Sequence, residues 1–364
     1  MRSIRLENVS KSFGDECVLD GINLTMPSGK FFALLGPSGC GKTTILRLIA
    51  GLEKSDSGRI FLGDEDITKQ PVFRRKINTV FQNYALFPHL TVFENVAYGL
   101  RIKNVKELEI YDRVLAQLKS TRLLGCQKKM PSMLSGGQKQ RVALARALVG
   151  KPEVILFDEP LAALDVKLKE RVLVELMELQ YELKTTFVYV THDQAEALTI
   201  ADKMAIINFD GSIAQIGTPE EIYEFPVSTF VADFVGSTNI LEGILHKRNE
   251  ADFFIDVEAV GVVDLHVEKL KNWIIPGGAV YASIRPEKIE ISKTKLSEFS
   301  CCFPGVVEST SYAGRFTQYQ VNIANGQVVS VFEQNEEHFP KETINDDDQV
   351  FLHFQKDNVV LLER

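Results

Sequence analysis

Gly36-Pro37-Ser38-Gly39-Cys40-Gly41-Lys42-Thr43-Thr44 fits the pattern G-x-x-x-x-G-K-[ST]. Before it stands the apolar run Lys30-Phe31-Phe32-Ala33-Leu34-Leu35, of a length that suits a buried strand. After it, Ile45, Leu48, Ile49 and Leu52 recur at i, i+3, i+4 and i+7, the stripe of an amphipathic helix. A glycine-rich turn between strand and helix lets backbone N–H groups curl around phosphate oxygens. The helix N-terminus adds about half a positive charge. Lys42 is therefore expected to reach the β- and γ-phosphates of ATP or GTP, and the Thr43 hydroxyl to ligate Mg2+. The alternative is a chance glycine turn. The strand before it and the helix after it argue against chance.

Further along, Val154-Ile155-Leu156-Phe157 is another continuous apolar run, closed by Asp158-Glu159-Pro160. Continuous rather than alternating hydrophobicity suits a parallel strand covered on both faces. Ligands of such sheets gather at the carboxyl ends of the strands. Asp158 is thus placed to hold Mg2+ through water, and Glu159 to orient and polarise an attacking water. Leu168, Val172, Leu176, Leu179 and Leu183 then mark a long amphipathic helix, and Phe187-Val188-Tyr189-Val190 a further buried strand ending at Thr191-His192-Asp193. In Leu134-Ser135-Gly136-Gly137-Gln138, Ser135 and Gln138 read as a capping box for a helix carrying Val142, Ala145, Leu148 and Val149. A helix start with two glycines also exposes N–H groups that invite a phosphate contact.

Ile206-Ile207 and Ile213-Ala214 flank Asp210-Gly211 as in a hairpin, and Thr218-Pro219-Glu220-Glu221 opens a helix. Phe230 to Gly236 reads as the last piece of a first domain. From about Ile240 the texture turns to short β-rich runs, expected as a small antiparallel barrel or sandwich. These readings divide the chain into 1–238 and 239–364.

The 364 residues are 45% hydrophobic and 25% charged, which excludes a disordered chain. A net charge of −8 argues against broad nucleic-acid binding. The five cysteines show no metal-ligand spacing and fit a reducing cytoplasm. Met1-Arg2-Ser3-Ile4-Arg5 lacks the apolar segment of a signal peptide, and no run approaches the ~18 apolar residues of a membrane span. A membrane role is therefore expected to be peripheral. Cys40 sits beside a helix N-terminus and Lys42, a setting that lowers a thiol pKa.

The phosphate loop at 36–44, the Ser135–Gln138 turn and the strand ending at Asp158-Glu159 together resemble the Walker A, signature and Walker B motifs of ATP-binding-cassette (ABC) ATPases. The resemblance implies ATP and Mg2+ as ligands. It assigns Gln82 to the Q-loop contact with Mg2+ and the γ-phosphate. It assigns His192 to the switch histidine, Ala163-Leu164-Asp165 to the D-loop, and Phe13 to the aromatic that stacks on adenine. It also implies a head-to-tail pair of copies, each ATP lying between the 36–44 loop of one and Ser135, Gly136, Gly137 and Gln138 of the other. Ala162 departs from the Ser or Gly frequent in relatives, which puts one contact across the pair in doubt.

The implied fold is α/β, a P-loop ABC nucleotide-binding domain followed by an all-β OB-like transport-associated domain. Ile284-Arg285-Pro286-Glu287, Gly305-Val306-Val307 and Tyr312-Ala313-Gly314 resemble that second domain. An OB barrel can also bind nucleic acid, but Glu342, Asp346, Asp347 and Asp348 make this one acidic. Tyr84, Leu86 and Phe87 are expected to serve partly as the face that receives a helix of a membrane subunit. The run Phe87 to Val96 and the length of the second domain resemble the ATPases of spermidine/putrescine importers; ferric-iron, sugar and sulfate importers share nearly all the motifs. The implied partners are two transmembrane permease subunits and, indirectly, a periplasmic or extracellular solute-binding protein, at the cytoplasmic face of the inner membrane. Soluble ABC ATPases are a further alternative, though they usually carry two cassettes or a long coiled-coil insertion. A regulatory role in which the C-terminal domain sequesters a partner could coexist with transport.

Overall fold

A computed structural model describes residues 2–162, 164–248, 252–258, 260–266, 275–336 and 343–363. Ala163 and Glu342, both singled out above, lie outside the described residues. The chain divides into two compact units, Met1–Glu220 and Glu221–Arg364.

The first unit runs β1 (Ile4–Phe13), β2 (Glu16–Met26), β3 (Phe31–Leu35), α1 (Lys42–Ala50), β4 (Ser57–Leu62), β5 (Glu65–Asp66), β6 (Ile77–Val80), α2 (Val92–Ile102), α3 (Glu107–Ser120), α4 (Gly136–Leu148), β7 (Val154–Asp158), α5 (Val166–Leu183), β8 (Thr186–Thr191), α6 (Gln194–Ile200), β9 (Lys203–Ile207) and β10 (Ile213–Gly217). Its main sheet has the order β10-β9-β3-β8-β7-β6. All pairings are parallel except β9 with β10, the expected hairpin.

Every residue of β3 and β8 is buried, because helices and a second sheet cover both faces. On one face Phe32, Leu34, Leu156 and Val188 share a core with α1 and with an antiparallel sheet of order β2-β1-β4-β5. That second sheet was not set out from the sequence, although Ile4 and Leu6 inside with Arg5 outside is the alternation that marks it. On the other face Phe31, Phe157, Phe187 and Tyr189 pack against α4 and α5. The helices α2, α3 and α4 form a separate cluster around Val96, Val114, Leu118 and Val142. Helix α1 ends earlier than its apolar stripe suggests: Gly51 caps it in the left-handed region, and Leu52 is exposed beyond it.

In the second unit, β11 (Asn239–Lys247), β12 (Asp252–Val257), β13 (Gly261–His266), β14 (Ala279–Ile284), β15 (Glu290–Ser292), β16 (Cys301–Tyr312), β17 (Phe316–Ile323), β18 (Val328–Gln334), β19 (Gln349–Phe354) and β20 (Val360–Leu362) build two five-stranded antiparallel sheets. Both sheets contribute to one apolar core that includes Leu241, Ile255, Phe303, Val321 and Leu352.

The division at Glu220 precedes the 238/239 boundary read from the sequence, and Phe230–Gly236 belongs to the second unit rather than to the end of the first. The physical reason is Arg285, only 4% exposed. Its guanidinium donates to the carbonyls of Tyr223 (2.8 Å), Ala232 (2.9 Å) and Ser237 (3.0 Å). The Thr229 N–H also bonds Glu363 O at 2.9 Å. These long-range bonds draw the helical segment after Glu220 onto the β-sheets.

Candidate functional site

The loop after β3 turns on two glycines. A Cβ on Gly36 would lie 2.6 Å from Ile207 O, so only hydrogen fits. Gly41 caps α1 at φ +94°, a conformation that side chains resist. Lys42 is buried, and its Nζ donates to Gly36 O (2.8 Å) and Pro37 O (2.5 Å), folding the loop around the ammonium group. Thr43 Oγ1 donates to Asp158 Oδ1 at 3.0 Å, joining the loop to the end of β7. Burial pushes the Asp158 carboxyl above the usual range; the Thr43 bond pulls it back, and the Glu159 charge raises it again. A carboxyl whose charge is costly to bury, next to a hydroxyl, is a donor pair that a divalent cation would satisfy.

Glu159 follows β7 with φ +43°, a strained conformation for a residue with a side chain. Its N–H bonds Val190 O at 3.0 Å, which fixes the turn to the end of β8. The carboxylate then meets the ring across that edge, with Glu159 Oε1 3.1 Å from His192 Nδ1. The parallel order β3-β8-β7 therefore gathers Lys42, Thr43, Asp158, Glu159 and His192 at one carboxyl edge. Such an edge can bind phosphate, hold a cation and polarise a water.

Ser135 and Gln138 make the expected capping box: Gln138 N–H donates to Ser135 Oγ (3.3 Å) and Ser135 N–H to Gln138 Oε1 (3.1 Å). Ser135 and Gly136 are exposed, while Gly137 packs against Leu168 of α5. Among the described residues no hydrogen bond or ion pair joins this turn to the 36–44 loop. Asp165 caps α5 by accepting the Leu168 N–H at 3.0 Å. Gln82 is exposed in the turn after β6. Phe13 is 45% exposed, with Lys11 Nζ 5.0 Å from its ring centre, so it is not a core residue.

Residues 19–162 match the ABC transporter family and residues 282–362 the TOBE domain. The "Spermidine/putrescine import ATP-binding protein PotA" of Protochlamydia amoebophila is 44% identical over 100% of this chain and 97% of its own length. The protein of that name from Thermotoga maritima is 43% identical over 99% and 98%. The chain belongs to this family of ABC import ATP-binding proteins. Solved ABC structures resemble its first part. The cbiO1 protein of Clostridium perfringens, part of an ABC transporter complex, has a TM-score of 0.57 at 32% identity, over 60% of this chain and 89% of its own. An ATP-binding cassette solved as a dimer in a post-hydrolysis state with ADP and Pi has a TM-score of 0.53 at 35% identity, over 59% and 98%.

In this ABC ATPase the aromatic segment after Gln82 divides between core and surface. Tyr84 and Leu86 pack inward. Phe87 lines a groove of about 420 Å³ with Phe81, Tyr98 and Arg146. Tyr84 and Ala85 both have positive φ, and Arg146 compensates by donating to their carbonyls at 2.9 and 2.7 Å. Asn95, fully buried on α2, accepts from Phe87 N–H at 2.8 Å and donates to Leu90 O and Thr91 O at 3.0 Å. Neither Arg146 nor Asn95 was picked out from the sequence. Asn95 carried a usable signal, a polar residue within the apolar stripe of α2.

The thiol of Cys40 departs from expectation. It is 2% exposed, and burial raises its pKa despite the neighbouring Lys42. In a labelling time course followed by mass spectrometry, Cys40 is expected to react more slowly than the exposed Cys17. Faster modification of Cys40 would contradict its burial.

Proposed function

We propose that this chain is the ATP-hydrolysing subunit of an ABC importer for polyamines such as spermidine and putrescine. The observation that carries the reading is the single sheet edge holding Lys42, Thr43, Asp158, Glu159 and His192, in a chain similar throughout its length to polyamine import ATP-binding proteins. In this reading Gly36, Pro37, Ser38, Gly39, Cys40, Gly41, Lys42, Thr43 and Thr44 cradle the phosphates, and Phe13 stacks on adenine. Glu159 accepts a proton from the attacking water, and His192 and Gln82 respond to the terminal phosphate. Thr43, Asp158 and Gln82 would hold Mg2+, which neutralises phosphate charge.

Two copies pair head to tail, the exposed Ser135–Gln138 turn of one completing the nucleotide site of the other, with Asp165 at the contact. The exposure of Ser135 and Gly136 supports this arrangement. The Phe81–Phe87 groove receives a helix from one of two transmembrane permease subunits, so the chain is peripheral at the cytoplasmic face of the inner membrane. No described helix is long and apolar enough to cross a membrane itself. A solute-binding protein outside the membrane selects the substrate, and nucleic acid has no part.

The test is reconstitution of the chain with its permease pair and binding protein in vesicles. Spermidine or putrescine is expected to stimulate ATP hydrolysis and to be taken up. Stimulation by ferric iron, a sugar or sulfate instead would discard the polyamine assignment. Hydrolysis indifferent to any permease would discard the importer.

A further inference from the structure

Behind His192 lies a buried charge that the reaction described above does not use. Glu196, on α6, is 4% exposed. Its Oε2 accepts from the Tyr189 hydroxyl at 2.8 Å and the Thr191 hydroxyl at 2.9 Å. Its Oε1 lies 3.0 Å from Lys169 Nζ, on α5. Lys169 also reaches Asp193 Oδ2 at 3.2 Å. The Thr191 oxygen, in turn, accepts the Asp193 N–H at 3.0 Å, closing a turn across His192. Both chain neighbours of His192 are thus tied to Glu196 and Lys169.

Burying an ion pair is a poor way to gain stability, because desolvation offsets the attraction, and an apolar pair of similar volume does as well or better. What the pair supplies here is geometry: one lysine and one carboxylate determine where the turn 191–193 sits relative to α5. We propose that Glu196 and Lys169 are positioning residues that hold His192 opposite Glu159. This rests on the proposed role of His192 in ATP hydrolysis.

The test uses the full chain and a double-mutant cycle. Lys169→Met leaves the Glu196 carboxylate its Tyr189 and Thr191 donors but not its cation, so its thermal transition is measured beside its turnover. It is expected to lower kcat about tenfold with KM for ATP changed less than about twofold, the signature of a displaced group rather than lost binding. Lys169→Arg is expected to restore most of the rate. In a His192→Ala background, Lys169→Met is expected to cost less than about twofold more, because both changes remove one interaction. Equal losses in the two backgrounds would overturn the proposal and leave the role of His192 standing. Full turnover by His192→Ala alone would overturn that role and the proposal with it. The His192 ring resonances give a readout independent of turnover. They are expected to shift in Lys169→Met and to stay in place in Lys169→Arg; unshifted resonances in Lys169→Met would also overturn the proposal.

Discussion

Glu159→Gln is expected to lower ATP turnover by about 10²–10⁴-fold while nucleotide binding persists, the range that a general base contributes. The substitution keeps the size of the side chain and can keep a hydrogen bond to His192 Nδ1. It removes the one property that an amide lacks, the ability to take a proton. Because the turn is held by Glu159 N–H to Val190 O, the backbone strain at φ +43° stays where it is, and the loss is chemical rather than structural. Each tenfold loss corresponds to about 1.4 kcal/mol of barrier. The measurements are steady-state hydrolysis and equilibrium binding of ATP by the same preparation. Turnover within a factor of a few of the parent would move the proton acceptor to another group. Lost binding would mean that Glu159 organises the phosphate site instead.

The second large effect concerns the β-rich unit. Removing the Arg285 guanidinium leaves the buried Ala232 carbonyl without its donor, while the carbonyls of the half-buried Tyr223 and the exposed Ser237 can turn to water. An unsatisfied buried acceptor costs about 1–3 kcal/mol, and water entering beside the shorter side chain recovers part of it. Arg285→Met is therefore expected to destabilise the second unit by about 2 kcal/mol. In a thermal scan that corresponds to a fall of roughly 7 °C in the transition of this unit. Cleavage in the segment 221–238 should also become faster under limited proteolysis, because that segment loses its anchor. Arg285→Lys keeps the charge but offers one donor group from a different position, so it is expected to fall between the two. A variant as stable as the parent would show that the segment is held chiefly by other contacts, such as the Thr229–Glu363 backbone pair.

The two substitutions report on different kinds of legibility. Glu159 could be singled out because it follows a continuous apolar run at a strand end. Arg285 stood out only as part of the short Ile284-Arg285-Pro286-Glu287 match, and nothing local told that its partners lie on the helices before the β-sheets. Cys40 shows the same limit from the other side. Its neighbours in sequence, a lysine and a helix start, favour a thiolate, yet burial outweighs them. Tyr84, Leu86 and Phe87 were expected to serve partly as a docking face, but the positive φ at Tyr84 and Ala85 turns the stretch so that Phe87, and not Tyr84 or Leu86, lines the groove.

Motifs whose chemistry lies within a few consecutive residues could be read directly: the phosphate loop after β3, the carboxylates after β7, the capped glycine turn at Ser135 and the α/β character of the first unit. Their physics is local, set by φ preferences, caps and hydrophobic period. The rest depended on which strands lie side by side. Thr43 and Asp158 are 115 residues apart and share a hydrogen bond. Glu159 meets His192, and Glu196 meets Lys169, because sheet order and helix packing bring distant segments together, and no short-range preference encodes that order. Burial follows from the same assembly, which is why the burial of Cys40 and the packing of the segment after Glu220 onto the β-sheets emerged only once the chain was folded.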